Sequence, residues 1–328
     1  MTDLNKQQIF NKLQNIIFKD GTNLTTIISE IIIKDHNIGF SIDISDQPAG
    51  EAQEVKAKVI DKLNKIPGVG KITIIFTGNK NIDKKTQKVK YFIENVKKVI
   101  LVASGKGGVG KSTIAALIAQ QLNKEGYRVG IADADIYGPS IPQIFGVSGV
   151  PQTMNGRIIP LMSHNIQIIS IGFFVKDYSA IIWRGPMTSK TVYQLLSVTK
   201  WDNLDYLIID MPPGTGDIHL SILENYHLNG VIIVTTPQKM SQIDVIRSID
   251  LYRKLSLSVL GIIENMSYLN DPASGKILNI FDGNSGEYFS KEYNIPLVCK
   301  LPIMPELANA CDQALSLTDI VNIPGLCL

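Results

Sequence analysis

The sequence predicts an α/β fold, a doubly wound and mostly parallel sheet, with a small α+β domain in front of it. Short apolar runs alternate with longer helical patterns from Val99 onward, at Val99–Ala103, Val129–Ala132, Ile166–Ile171, Tyr206–Ile209, Gly230–Thr235, Val259–Ile263 and Pro296–Leu301. Runs that are apolar throughout suit strands buried on both faces of a parallel sheet. Strand–helix alternation then implies doubly wound connections. The first part of the chain is different: Ile38, Phe40, Ile42 and Ile44 alternate strictly with other residues, as a half-buried strand does.

Taken in order, residues 2–18 place Leu4, Ile9, Leu13, Ile16 and Ile17 at helical spacing. Residues 30–33 and 38–44 read as strands. Residues 49–65 read as a helix with Ala52, Val55, Val59 and Leu63 along one face. Pro67-Gly68 breaks the chain, and 71–77 is a further strand. Lys80, Lys84, Lys85, Lys88, Lys90, Lys97 and Lys98 crowd residues 79–98. Such a run suits a solvated linker better than a nucleic-acid patch. The expected organisation is therefore a small α+β domain over 1–78, a Lys-rich linker over 79–98 and the larger domain over 99–328.

Composition narrows the class. The 328 residues carry a net charge of +2, too little for a nucleic-acid partner. Cys299, Cys311 and Cys327 are an odd, sparse set, which argues against a disulfide framework and fits a reducing compartment. The opening MTDLNKQQIF has no apolar core of a signal peptide. No apolar run reaches the roughly 18 residues that a membrane span needs. The expectation is a cytoplasmic protein with neither a membrane nor a nucleic-acid partner. His36, His164, His219 and His227 show no ligand spacing and read as ordinary polar residues.

Chemistry concentrates at Gly105-Lys106-Gly107-Gly108-Val109-Gly110-Lys111-Ser112, which matches G-x-x-x-x-G-K-[ST] between a buried-type strand and a helical pattern. Glycines let successive N–H groups point at phosphate oxygens, and the helix start adds its dipole. Lys111 suits the β- and γ-phosphates of ATP, Ser112 a Mg²⁺ ion, and Thr113 the α-phosphate. Lys106 is open to two readings, a solvated charge or a lysine that neutralises phosphates across a dimer interface. Asp210 ends one apolar run, and Asp133 and Asp135 end another. Acids there suit the metal's water shell and the attacking water. Gly214 or Gly216 could offer an N–H to the γ-phosphate, which would make that segment a nucleotide-sensitive switch.

These residues resemble a known group. KGGVGKST carries the extra lysine of the deviant Walker A motif. The chain more narrowly resembles the Mrp/ApbC family of ATP-binding iron–sulfur cluster carriers. The resemblance rests on ASGKGGVGKST at 103–113, DADIYGPSIP at 133–142, WRGPM at 183–187, DYLIIDMPPGTGD at 205–217, VTTPQ at 234–238 and ENMSY at 264–268. It implies a homodimer with two Mg-ATP sites near its interface and delivery of iron–sulfur clusters to apoprotein acceptors, and the switch-like architecture leads us to expect slow hydrolysis. It also implies that Lys106 reaches the partner's nucleotide, that Asp135 orients water, and that Asn265 contacts the adenine base.

The chain departs from that family at the cargo site. The two positions of the family's Cys-x-x-Cys are Asp271 and Ser274, and its Cys-Pro-Ala is Gln47-Pro48-Ala49. Thiolates are the chief ligands of iron–sulfur clusters. Their absence argues against direct cluster binding and keeps an alternative open, a cluster-free, nucleotide-driven dimer switch. A positioning ATPase of MinD or ParA type fits less well, because no Lys or Arg follows Lys300 to form a basic membrane helix.

Overall fold

The computed structural model describes residues 4–44, 47, 51–77, 90–174, 190–326 and 328. Pro48-Ala49, Lys80, Lys84, Lys85, Lys88, WRGPM at 183–187 and Cys327 lie outside the described residues. The chain divides into two units, Met1–Gln87 and Lys88–Leu328.

In the first unit, Asn5 starts α1 (Lys6–Leu13) by accepting the Gln8 N–H at 2.9 Å. The helix stops five residues short of the expected 18, because the Asn23 side-chain amide captures the Gln14 carbonyl at 2.7 Å. Ile16 and Phe18 are still buried, but outside the helix. β1 (Ile32–Lys34) and β2 (Asn37–Asp43) pair antiparallel across Asp35 and His36, both at positive φ, which suits a tight hairpin turn. α2 (Glu51–Asn64) crosses to β3 (Ile72–Thr77), which runs parallel to β2. Ile9, Leu13, Val55, Val59 and Leu63 from the helices meet Ile38, Phe40, Ile42 and Ile74 from the strands in one core.

The second unit runs β4 (Val96–Ser104), α3 (Lys111–Lys124), β5 (Val129–Asp133), α4 (Ile141–Ile144), β6 (Thr153–Met154), β7 (Arg157–Ile158), β8 (Leu161–Ser163) and β9 (Ile166–Ser170). It continues through β10 (Leu204–Asp210), α5 (Asp217–Asn225), β11 (Gly230–Thr235), α6 (Lys239–Lys254), β12 (Val259–Glu264), β13 (Leu269–Asn270), β14 (Ile277–Leu278), α7 (Ser285–Tyr293), β15 (Leu297–Lys300) and α8 (Pro305–Asp312). Among the described residues its main sheet has eight strands in the order β15-β12-β11-β4-β10-β5-β9-β8. All pairs are parallel except β8 with β9 at one edge. Every residue of β5, β10 and β11 except Asp205 is buried, as apolar runs without alternation predict.

β4 lies between β10 and β11, so the chain winds outward from it in both directions. Ligands bind at the carboxyl ends of strands at such a switch point. The stretch from residue 90 to 98, expected as linker, belongs to this unit. The Tyr91 N–H donates to the Asn225 carbonyl at 2.7 Å, β4 already begins at Val96, and Lys98 donates to the Leu328 carbonyl at 2.9 Å. Backbone pairing and a fixed partner for the lysine override its solvated look. Among the described residues no helix is long and apolar enough to cross a membrane.

Candidate nucleotide site

β4 delivers the chain to the glycine loop at Ser104. Gly108 and Gly110 stand at φ +78° and +83°, where a side chain is strained. Gly110 has a second constraint, since a Cβ there would lie 2.3 Å from the Asn265 Nδ2. Val109 is buried and pins the middle of the loop to the core. α3 then starts at Lys111 with no side-chain cap, which leaves its first N–H groups to a ligand. They face a cavity of about 390 Å³ lined by Gly107, Gly108, Gly110, Lys111, Ser112, Thr113 and Asp135, with Ser140, Gln143, Pro213, Cys311 and Asp312 on its other walls.

Strand ends bring the acids to one ammonium. The Lys111 Nζ donates to Asp210 Oδ1 at 2.6 Å, lies 3.1 Å from the Ser112 hydroxyl, and stands 3.7 Å from Asp135 Oδ2. Asp210 is fully buried, and its Oδ2 has no partner among the described residues. Asp133 is also fully buried. Its Oδ1 accepts the Asp135 N–H at 3.1 Å, and its Oδ2 accepts the Ile141 N–H at 3.2 Å and the Ser170 hydroxyl at 3.0 Å. Burial, with the Asp210 charge second, holds the Asp133 carboxyl well above the carboxylate range. Burial raises Asp210 as well, against the pull of Lys111. Asp135 and Asp210 therefore share one ammonium and leave an excess of carboxylate oxygen. A divalent cation fits that excess, and the free Oδ2 of Asp210 is an acceptor suited to one of its waters.

Each expected residue has a definite place. Asp135 lines the cavity, and its Oδ1 accepts the N–H groups of Tyr137 and Gly138 at 3.2 and 3.3 Å. Asp133 does not line it and braces the loop behind Asp135, because protein donors already engage both its oxygens. Asn265 lies outside the lining too, with its amide nitrogen on the Val109 carbonyl at 2.9 Å. Lys106 extends to the Gln238 side-chain oxygen at 3.1 Å. The Gly214 N–H is held by the Ser104 carbonyl at 3.0 Å, which leaves Gly216, the residue before α5, as the freer of the two glycines.

Sequence reasoning missed two neighbours. His219 is fully buried, 2.8 Å from the Pro212 carbonyl through Nε2 and 3.4 Å from the Tyr252 hydroxyl through Nδ1. Burial pushes its pKa down to about 4, so the neutral ring donates Nε2–H to Pro212. Cys311 lines the cavity with its Sγ 3.8 Å from the Thr113 hydroxyl, and burial raises its pKa. Neither has a sequence signal, since Tyr252 reaches His219 from α6 and Thr113 reaches Cys311 from α3.

The Asp271 and Ser274 positions sit away from this cavity, on the turn between β13 and β14. The Ser274 hydroxyl donates to Asp271 Oδ2, and the Ala273 N–H donates to Asp271 Oδ1 at 3.0 Å. These two donors, the hydroxyl first, lower the Asp271 pKa. Among the described residues no three His, Cys, Asp or Glu side chains gather as a metal site. Cys299 is buried in β15, with its pKa pushed up to about 11 by burial.

Comparison with known proteins bears on the family of the chain. A protein from Rickettsia felis named iron-sulfur cluster carrier protein is 69% identical over 99% of this chain and 98% of its own length. One of the same name from Aquifex aeolicus is 37% identical over 94% of this chain and 90% of its own. Among solved structures, a nucleotide-binding protein from Archaeoglobus fulgidus in complex with ADP is 33% identical and superposes with a TM-score of 0.63, covering 70% of this chain and 91% of that one. Residues 95–322, which span the glycine loop, all three strand-end acids and the β13–β14 turn, match the model of the NUBPL iron-transfer P-loop NTPases, and the chain belongs to that family.

Proposed function

We propose that this protein binds and slowly hydrolyses Mg-ATP and carries iron–sulfur clusters to apoprotein acceptors, as a cytoplasmic homodimer. The observation that carries the reading is near-full-length identity to proteins named as such carriers, joined to a phosphate-loop cavity with an unmet charge demand. The nucleotide half follows from the residues. The N–H groups from Gly105 to Thr113 take the phosphates, and Lys111 exchanges Asp210 for β- and γ-phosphate oxygens. Ser112 and Asp210 would hold Mg²⁺, with Asp133 supporting them from behind. When bound, the ion neutralises charge on the β- and γ-phosphates. Asp135 faces the cavity and orients the water that attacks the γ-phosphorus. Lys106 crosses to the partner's nucleotide, and Asn265, outside the phosphate cavity, contacts the adenine base.

The cargo half is chemically weaker. An Asp–Ser pair in place of thiolates requires either a labile cluster or a cysteine-bearing partner that completes the site. Anaerobic reconstitution with iron and sulfide tests this, read by visible absorption and iron per dimer, beside Asp271→Cys/Ser274→Cys. The expected result is a cluster on the wild type that passes to an apo-form acceptor when Mg-ATP is present. A bare wild type that transfers nothing, beside a loaded double variant, would replace the carrier by a cluster-free nucleotide switch.

A further inference from the structure

Lys106 has a partner within its own chain. Its Nζ donates to the Gln238 side-chain oxygen at 3.1 Å, and both residues are half-buried. The backbone of Gln238 is also tied. It pairs antiparallel with Gly283, and the Ser285 hydroxyl donates to the Pro237 and Gln238 carbonyls at 2.9 and 3.2 Å. Gly283 has φ +146°, and a Cβ there would lie 2.0 Å from the Pro237 carbonyl oxygen, so the approach admits only glycine. The β13–β14 hairpin, with Asp271 and Ser274 on its turn, runs into this seam a few residues after Leu278.

The middle of the glycine loop reaches the same place. Asn265 holds the Val109 carbonyl, and its neighbour Glu264 accepts the Gly286 N–H at 2.7 Å. Residues 283–286 therefore hang from the phosphate loop at two points, through Gln238 at Lys106 and through Glu264-Asn265 at Val109.

We propose that Gln238 is a positioning residue that latches Lys106 in cis, and that its pairing with Gly283 couples release of the lysine to the β13–β14 hairpin. The inference rests on the reading of Lys106 as the lysine that reaches a partner's nucleotide. The choice of residue suits a latch. A neutral amide oxygen holds an ammonium less tightly than a phosphate oxygen does, because hydrogen bonds between two charged groups are the stronger kind. A partner's nucleotide thus takes Lys106 from Gln238. A carboxylate at 238 would compete with the phosphate. Once the lysine leaves, the seam loses one of its two anchors to the loop.

The test compares Gln238→Ala and Gln238→Glu with wild type. It reads ATP-dependent dimer fraction by sedimentation, kcat and KM for ATP, and hydrogen exchange of the hairpin amides without nucleotide. Removing the latch should raise kcat and dimer fraction by about two- to tenfold with KM unchanged, and speed hairpin exchange. The carboxylate should lower kcat and dimer fraction by a similar factor. A merely structural glutamine would make both variants worse. Two variants that move in the same direction, or neither moving, overturn the latch while a turning-over wild type leaves the nucleotide reading intact. A wild type with no ATP-dependent dimer and no turnover overturns that reading and the latch with it.

Discussion

The glycine-loop end of the sheet and the β13–β14 hairpin hold their polar groups in opposite ways. At the loop, Lys111, Asp133, Asp135 and Asp210 are 6%, 0%, 8% and 0% exposed, and one carboxylate oxygen has no partner among the described residues. At the hairpin, Asp271 is half-buried, Ser274 is exposed, and the two satisfy each other. Burying charge is expensive, and a fold tolerates an uneven set only where packed strands on either side fix it. The first region therefore keeps a demand that a cation and a phosphate would meet. The second keeps none. The contrast separates a site by what it lacks, within a frame too rigid to relax, from a turn that is complete by itself.

The largest break in that contrast comes from removing the Lys111 ammonium. Lys111→Ala should lower ATP turnover by about a thousandfold, measured as phosphate release. Turnover at the wild-type rate would move the nucleotide elsewhere. Asp135→Asn keeps the side chain's shape and should lower kcat by about a hundredfold while ATP affinity, measured by titration calorimetry, stays. Equal rates would remove Asp135 from the chemistry.

His219 extends the contrast to pH. Its folded pKa of about 4 lies below its free value of 6.5, so the unfolded chain binds the extra proton between the two. The stability it contributes is present above pH 6.5 and is lost as pH falls toward 4, up to about 3 kcal/mol. Asp271 also has a lowered pKa, but as a carboxylate, so its contribution is lost only as pH falls below the free carboxylate range. Urea midpoints between pH 7 and 4.5 should therefore drop in wild type, drop less in His219→Gln, and drop as in wild type for Asp271→Ala. A His219→Gln profile parallel to wild type would take the buried ring out of the account.

Two glycines sharpen the picture within the loop. Gly110→Ala meets both a left-handed φ and Asn265, whereas Gly108→Ala has the same sign of φ and open space. The strain alone costs about 1–2 kcal/mol, so Gly108→Ala should weaken ATP binding by at most about thirtyfold, and Gly110→Ala by more. Calorimetric affinities in the reverse order would show that Asn265 yields freely to a Cβ.

What could be read from the sequence follows the same division. The apolar runs became the strands of the sheet, because burial on both faces leaves its mark in consecutive residues. The glycine loop was legible because φ constraints and phosphate geometry act within eight residues. Gln238, His219 and Cys311 were not. Their partners Lys106, Pro212 with Tyr252, and Thr113 come from other strand ends or helices, and no local pattern records such a meeting. Asp133 and Asp135 illustrate the limit within one motif. Spacing brought both to the strand end, yet only packing against Ser170 and Ile141 turns one inward and leaves the other facing the cavity.

The smallest effect tests the quiet side of the comparison. Asp271→Ala removes a carboxylate whose donors are the Ser274 hydroxyl and the Ala273 N–H, all within one turn. A surface group whose partners all lie within its own turn contributes little to stability. The variant should therefore melt like wild type and hydrolyse ATP at the wild-type rate, since Asp271 does not line the nucleotide cavity. A clear loss of ATP turnover in Asp271→Ala would mean that the turn does bear on the nucleotide end. The seam of Pro237, Gln238, Gly283 and Ser285 would then carry the side-chain state of the hairpin to the loop, as well as the state of the loop to the hairpin.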